Sequence, residues 1–158
     1  MAEKTPALTV VYNLPNFLAG LVSSRNYSRW LSRKASAHCR RDRKRLPHVI
    51  SMHEFKRAIH QAVTDCRGLD WYTGEQLDWH MISTYNNAAS KSGGSICKAK
   101  FGLLPTVDHV LTDAGRYEFV ICAWRTNDSK SDLSLAEFTN LCRRVLALHG
   151  NRTANVDK

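Results

Sequence analysis

One segment of the 158-residue chain constrains the fold more than any other, a pair of β-prone runs in the C-terminal half. LLPTVDHV at 103–110 and YEFVICAW at 117–124 are rich in branched and aromatic residues, and the LTDAGR segment between them has the composition of a turn. These runs predict one antiparallel β-hairpin. A two-stranded sheet is not stable by itself in water, so helices must pack on it. We therefore expect an α+β fold.

Three helices are predicted around this hairpin. Residues 26–45 contain neither Gly nor Pro and predict a basic helix. The capping-box patterns SMHE at 51–54 and SLAE at 134–137 predict the starts of two more helices, over about 52–66 and 135–148. Both of these have apolar residues at helical spacing, which indicates one face turned toward a core.

Positive charge is concentrated in the first of these helices. The chain has 23 Lys and Arg against 14 Asp and Glu, a net charge of +9. Nine basic residues and one acid lie between residues 25 and 45: Arg25, Arg29, Arg33, Lys34, Arg40, Arg41, Arg43, Lys44 and Arg45, with Asp42. With Tyr27 and Trp30 interleaved, this pattern favours a nucleic-acid partner, because basic side chains neutralise phosphates and aromatic rings stack on bases. A solvated helix face and an anionic membrane surface are the alternatives.

Composition argues against several other classes of protein. No apolar run approaches the roughly 18 residues that cross a bilayer, and the N-terminus does not have the pattern of a signal peptide. The five cysteines are an odd number and widely spaced, which favours reduced thiols and a cytoplasmic protein. Because no CxxC pair occurs, we expect no structural zinc.

Polar residues lie at the ends of the two predicted strands. Asp108 and His109 lie at the end of the first run, and Asn127 lies 19 positions after Asp108, beyond the second. A hairpin brings its ends together, so Asp108 and Asn127 can meet, and their oxygens suit Mg²⁺. A neutral histidine can take a proton from water. A surface loop or a structural pair is the alternative, and successive strand residues face opposite sides, so one shared site requires an irregular strand end.

These motifs resemble those of the HNH nuclease family. The matching residues are LPTVDHV, the apolar strand ending in ICAW, then TNDSK, with WYTGEQL similar to the first knuckle of the family, and together they cover roughly 66–138. The family fold is ββα-metal, a hairpin and a helix around one divalent ion. The resemblance implies such a domain at 51–150, after a basic helical extension at 1–50 and before a flexible tail at 151–158.

The resemblance also implies roles for particular residues. Asp108 and Asn127 match the ligands of the ion, Mg²⁺ or Mn²⁺. His109 matches the general base that activates the attacking water. Lys130 matches a basic residue for which a phosphate contact is expected, and Lys130 or Arg125 would neutralise the phosphate that is cut.

The chain departs from the family pattern in two respects. The middle motif position, usually Asn, falls nearest Glu118, which we expect to accept a hydrogen bond from His109 as part of the catalytic group. The zinc-binding cysteine pairs of many members are missing, so packing must hold the hairpin, with Cys122 as a buried apolar residue. The candidates for this packing are Trp71, Leu77, Trp79, Phe119, Ile121 and Trp124. The remaining histidines are expected to be surface or capping residues: His38, His48, His53, His60, His80 and His149.

The sequence thus predicts a metal-dependent endonuclease that hydrolyses phosphodiester bonds in DNA, with double-stranded DNA favoured as the partner. A non-catalytic nucleic-acid-binding protein that keeps the ββα frame is the alternative. A third class is a protein-interaction module that uses its basic face on an acidic partner. Of these three hypotheses, only the endonuclease gives His109 a role in chemistry.

Overall fold

The structure is a computed structural model that describes residues 12–42, 51–86, 99–111 and 117–153. After a 3-10 helix at Asn16–Leu18, the elements in chain order are α1 (Ser24–Asp42), α2 (Met52–Cys66), α3 (Met81–Thr84), β1 (Pro105–Leu111), β2 (Tyr117–Ala123), α4 (Trp124–Lys130) and α5 (Leu135–Thr153). This order of helices around a two-stranded antiparallel sheet confirms the α+β class. No helix in the described ranges is both long enough and apolar enough to cross a membrane.

The hairpin register decides which way each polar residue of β1 points. Asp108 lies opposite Val120, and His109 lies opposite Phe119. Directly opposed residues share one face of a sheet, while successive residues alternate between faces. Asp108 and His109 therefore project from opposite sides, which we call the Asp108 face and the His109 face.

Helices cover both faces of the hairpin. On the His109 face, Phe55 of α2 packs against Phe119 with ring centroids 5.7 Å apart. On the Asp108 face, α4 brings Lys130 to Asp108. The buried apolar side chains of α1, α2, the 76–82 region and the hairpin form one cluster. The members include Tyr27, Trp30, Leu31, Phe55, Ile59, Leu77, Trp79, Val107 and Ile121.

The predicted helix starts are confirmed. Ser51 Oγ accepts from the Glu54 N–H at 3.2 Å, and the Glu54 carboxylate accepts from the Ser51 N–H at 2.8 Å. The same reciprocal pair, Ser134 with Glu137, opens α5. The basic helix forms as α1 over Ser24–Asp42, while the last part of its predicted range lies outside the described residues.

The structure differs from the sequence-based expectations at Trp71, at His38, in the segment after β2 and on the apolar face of α5. Cys122 is fully buried as expected, but Trp71 is 48% exposed and is not part of the core. His38, expected at the surface, is 2% exposed because the hairpin covers that side of α1. The segment after β2, which carried no helix prediction, forms α4. The apolar face of α5 is largely exposed, including Leu141 and four other large side chains.

Candidate functional site

The carboxylate of Asp108 has partners from two other parts of the chain. Its Oδ2 accepts a hydrogen bond from the Tyr72 hydroxyl at 2.7 Å and lies 3.1 Å from Nζ of Lys130 on α4. Its Oδ1 accepts from the backbone N–H of His109 at 2.8 Å. Only 7% of the Lys130 side chain and 13% of the Asp108 side chain are exposed. The Asp108 face thus carries a nearly buried ion pair, which water screens weakly.

The loop that supplies Tyr72 is held by Asp70, a buried carboxylate that the sequence analysis missed. Its Oδ1 accepts from the N–H groups of Tyr72 at 2.8 Å and Thr73 at 3.3 Å. Its Oδ2 accepts from the Ala123 N–H at 2.9 Å and the Thr126 hydroxyl at 2.7 Å. Asp70 therefore ties this loop to the junction of β2 and α4. The DWYTG sequence, an Asp just before a turn, was the available signal for its first two bonds.

Tyr72 is in the protonation state that this arrangement needs. Burial, followed by the hydrogen bond to Asp108 and the negative charge of that residue, raises the pKa of Tyr72. The phenol therefore stays protonated and donates a hydrogen bond to the Asp108 carboxylate. Asp70 and Tyr72 together set the position of the Asp108 carboxylate from outside the hairpin.

His109 lies in an aromatic environment on the opposite face. Its ring centroid is 4.6 Å from that of Phe119 and 4.7 Å from that of His38 on α1. The His38 ring also packs edge-on against Phe119 at 5.2 Å. The side chain of His109 is therefore oriented by rings from β2 and from the basic helix.

His38 is neutral in this environment. Burial, followed by the charges of Arg41, His109 and Lys34, lowers its pKa to about 2, against the opposing effect of a hydrogen bond to the backbone of Val107. As a neutral ring it accepts a hydrogen bond, and the Arg41 guanidinium donates to its Nε2 at 3.0 Å. His38 thus connects a basic side chain of α1 to the ring of His109.

A pocket of about 490 Å³ lies along the outer edge of β1. Within the described residues, β1 pairs with β2 alone, so its other edge carries no strand. Thr106 belongs to the Asp108 face and Val107 to the His109 face, so the pocket wraps around this edge. It is lined by Lys34, Ala37, His38, Arg40, Arg41, Thr106, Val107 and Asn127. The ionisable side chains in this lining are basic residues and a histidine.

Lys34 is the most enclosed basic residue of this lining. Its Nζ donates to Thr106 Oγ1 at 2.7 Å and lies 5.9 Å from the ring centroid of Trp30. Burial, with a contribution from the charges of Arg41 and Arg33, lowers its pKa to about 8. The ammonium is therefore held in a poorly hydrated place among other positive groups.

The other residues predicted to contact nucleic acid lie in different places. Five arginines of α1 are exposed: Arg25, Arg29, Arg33, Arg40 and Arg41. Arg43, Lys44 and Arg45 lie outside the described residues. Arg125 is exposed, but its guanidinium forms an ion pair with Glu75. Arg40 and Arg41 thus join Lys34 at the pocket, while the remaining described arginines of α1 lie elsewhere on the helix.

The predicted contact between Glu118 and His109 is not formed. Glu118 lies opposite Val110 in the register, so its side chain is exposed on the Asp108 face. His109 projects from the other face, where Phe119 and His38 surround it. The alternation of strand residues, which the sequence motif does not show, separates the two side chains.

The oxygen atoms of Asp108 and Asn127 have the chemistry that a hard divalent ion requires. Asp108 already holds one cationic group, the Lys130 ammonium, and an ion at this carboxylate would replace that contact. Asn127 lies three residues before Lys130 on α4 and lines the pocket at the β1 edge. The described ranges contain no cluster of three or more His, Cys, Asp or Glu side chains. The two ligands that the sequence predicts are thus one carboxylate and one amide.

These residues define a concave, basic surface beside a strand that carries a carboxylate on one face and a histidine on the other. Such a surface suits a phosphorylated or otherwise anionic partner. Comparisons of the chain with protein-family models, with curated proteins and with solved structures found no match. The chemistry of the site is therefore the basis for assigning a function.

Proposed function

We propose that this chain is a metal-dependent endonuclease of the HNH type, with a ββα-metal core formed by β1, β2 and α4, and that it hydrolyses phosphodiester bonds in DNA. The observation that carries this proposal is the contact of the basic helix with the strand of the motif. Lys34 bonds to Thr106 at 2.7 Å, and His38 packs on His109 at 4.7 Å. The basic helix and the Asp-His motif thus lie next to each other in the fold.

The unpaired edge of β1 explains how the two faces of the strand serve one substrate. A phosphate at this edge lies beside the boundary between the Asp108 face and the His109 face. The pocket there has residues of both faces in its lining, Thr106 from one and Val107 with His38 from the other. Asp108 and His109 then project from opposite faces of β1, and both faces border the same bound phosphate.

Each group has a role in the proposed reaction. His109 accepts the proton of the attacking water, and the rings of His38 and Phe119 orient it. Asp108 and Asn127 would hold a magnesium or manganese ion, which supplies positive charge to the phosphate in the transition state. Lys130, when released from Asp108, can neutralise a phosphate oxygen. Water and metal chemistry of this kind is compatible with the cytoplasmic location that the cysteines predict.

Supercoiled plasmid tests the proposal. With Mg²⁺ or Mn²⁺ the protein nicks the plasmid, and EDTA or His109→Ala abolishes nicking. His53→Ala, which removes an exposed histidine of α2, is the matched control and retains the wild-type rate. Nicking that survives both EDTA and His109→Ala, or the lack of nicking with either ion, contradicts the proposal.

A second candidate is a nucleic-acid-binding protein without turnover. One specific observation favours it, the engagement of Asp108 by Tyr72 and Lys130. In such a protein Asp108 keeps its ion pair with Lys130, and the basic surface binds phosphates. DNA binding that falls steeply with salt, with no cleavage in either ion, supports this candidate over the nuclease.

A further inference from the structure

We infer that the pocket at the β1 edge is a binding subsite for a single phosphate group, with Lys34 as its anchor and with Arg41 and Asn127 as further donors. This inference deepens the proposed function, because it names the chain residues that hold one phosphate of the nucleic acid. It stands on four features of the pocket: charge, burial, available donors and position.

The described lining of the pocket carries positive charge. Lys34, Arg40 and Arg41 line it, and no Asp or Glu side chain is part of the lining among the described residues. The carboxylates of Glu75 and Asp108 form their ion pairs with Arg125 and Lys130 instead. An anion is thus the ligand that this concave surface favours.

Lys34 is less exposed to solvent than the described arginines of α1. A desolvated ammonium loses hydration energy, and a nearby anion restores it. Burial is the main cause of the lowered pKa of Lys34, about 8. Arg29 of the same helix is exposed and lies outside the pocket lining, so it offers no comparable site.

Hydrogen-bond donors are available in the pocket. A lysine ammonium has three donors, and Lys34 gives one of them to Thr106 Oγ1. Arg41 has five donors, and its hydrogen bond to His38 comes from Nη2. Asn127 adds an amide. A phosphate oxygen can accept from all three residues, since charge-assisted hydrogen bonds to phosphate are the strong ones.

The position of the pocket selects a phosphate in a polynucleotide over other anions. Its volume of about 490 Å³ exceeds that of one small ion, and it borders the strand that carries Asp108 and His109. A phosphate held by Lys34 therefore places the neighbouring part of a nucleic-acid chain along the edge of β1. The subsite thus orients the chain with respect to the proposed catalytic residues.

Nuclear magnetic resonance tests this inference in the presence of EDTA, without any cleavage. The side-chain amide signals of Asn127, assigned with Asn127→Ser, are followed while inorganic phosphate replaces chloride at constant ionic strength. A second titration uses a thymidine hexanucleotide. We expect both ligands to shift these signals, with the oligonucleotide binding more tightly if the occupant is a phosphate of a chain.

Three variants complete the test. Lys34→Met removes the charge and keeps an apolar stem, and we expect it to weaken both ligands about tenfold or more. Arg29→Met removes one charge from the same helix outside the pocket and changes the binding of inorganic phosphate less than about twofold. Lys34→Arg keeps a cation at this position and retains binding, and the amide spectrum of Lys34→Met shows that this variant folds.

The outcomes separate this inference from the proposed endonuclease. Shifts that are absent with both ligands, or unchanged in Lys34→Met, overturn the subsite. Shifts with phosphate alone mean that the site binds free phosphate and overturn the assignment to a polynucleotide. Shifts with both ligands in a protein that never nicks plasmid leave the subsite standing and remove the nuclease proposal.

Discussion

Asp108 and His109 are neighbours in the chain, but the two faces of β1 that they occupy are held by different kinds of contact. The Asp108 face is held by ionic and hydrogen-bonding contacts from Lys130 and Tyr72. The His109 face is held by ring packing from Phe119 and His38. One face therefore depends on charge balance and the other on burial. The difference shows how one strand can position an acid and a base by independent means.

The largest expected effect is on the support of the Asp108 face. Asp70→Asn replaces an acceptor of four hydrogen bonds with an amide whose NH₂ group meets N–H donors. We expect a loss of about 3–5 kcal/mol in the free energy of unfolding, as for other broken buried networks. Urea denaturation measures it. The exposed Asp65→Asn is the control, and equal stability of the two variants contradicts the role of Asp70.

A smaller loss is expected when the ion pair on the same face is broken. Lys130→Met leaves the Asp108 carboxylate nearly buried without its cation, at a cost of about 2–4 kcal/mol. The double variant Lys130→Met with Asp108→Asn removes both charges and recovers part of this loss. A double-mutant cycle by urea denaturation gives the coupling energy. A coupling energy near zero means that the two side chains do not interact in solution.

We expect the free energy of unfolding to depend on pH because of His38, which packs on the His109 face. The folded pKa of His38, about 2, lies below the ordinary value near 6.5, so the unfolded chain takes up a proton first. Stability is full above pH 6.5 and falls as the pH is lowered, by about 2 kcal/mol between pH 8 and pH 5. Thermal or urea unfolding at several pH values measures this slope.

A variant without the titrating ring isolates this contribution. In His38→Gln the slope below pH 6.5 decreases by about one bound proton, while the exposed His53→Gln leaves it unchanged. The groups that face His38 and set its charge state are Arg41, Lys34 and His109. An unchanged slope in His38→Gln shows that this histidine is not buried in the neutral form.

The smallest effect is expected at Glu118. Its side chain is exposed and lies on the face opposite to His109. Glu118→Gln should change the free energy of unfolding by less than about 0.5 kcal/mol. It should also leave the pH profile of plasmid nicking unchanged. A shifted profile means that Glu118 reaches His109 after all and that the two faces are less separate than the register indicates.

Local patterns in the sequence were sufficient for the three long helices and the hairpin. The helix α2 matches the range that its capping box predicts, and the hairpin lies where the β-prone runs indicate it. Both signals are carried by residues close together in the chain. The short helix α4 was missed because its seven residues, WRTNDSK, have no capping box and little helical periodicity.

The contacts of the site were less accessible to sequence reasoning. Asp70 accepts bonds from Ala123 and Thr126, more than 50 positions away, and no local pattern marks such a partner. His38 is buried because the hairpin packs on that side of α1, whereas the nearby Arg40 and Arg41 of the same helix are exposed. Strand alternation was foreseen as an obstacle to a shared site, but the unpaired edge of β1 follows only from the assembled fold.

The central claim is that both faces of β1 serve one phosphodiester-cleaving site, and parallel nicking rates test it most directly. Wild type, Asp108→Asn and His109→Ala are compared on supercoiled plasmid with the same divalent ion, after each variant is shown to fold. The account predicts that both substitutions lower the rate at least about 100-fold. A wild-type rate in either variant would contradict it.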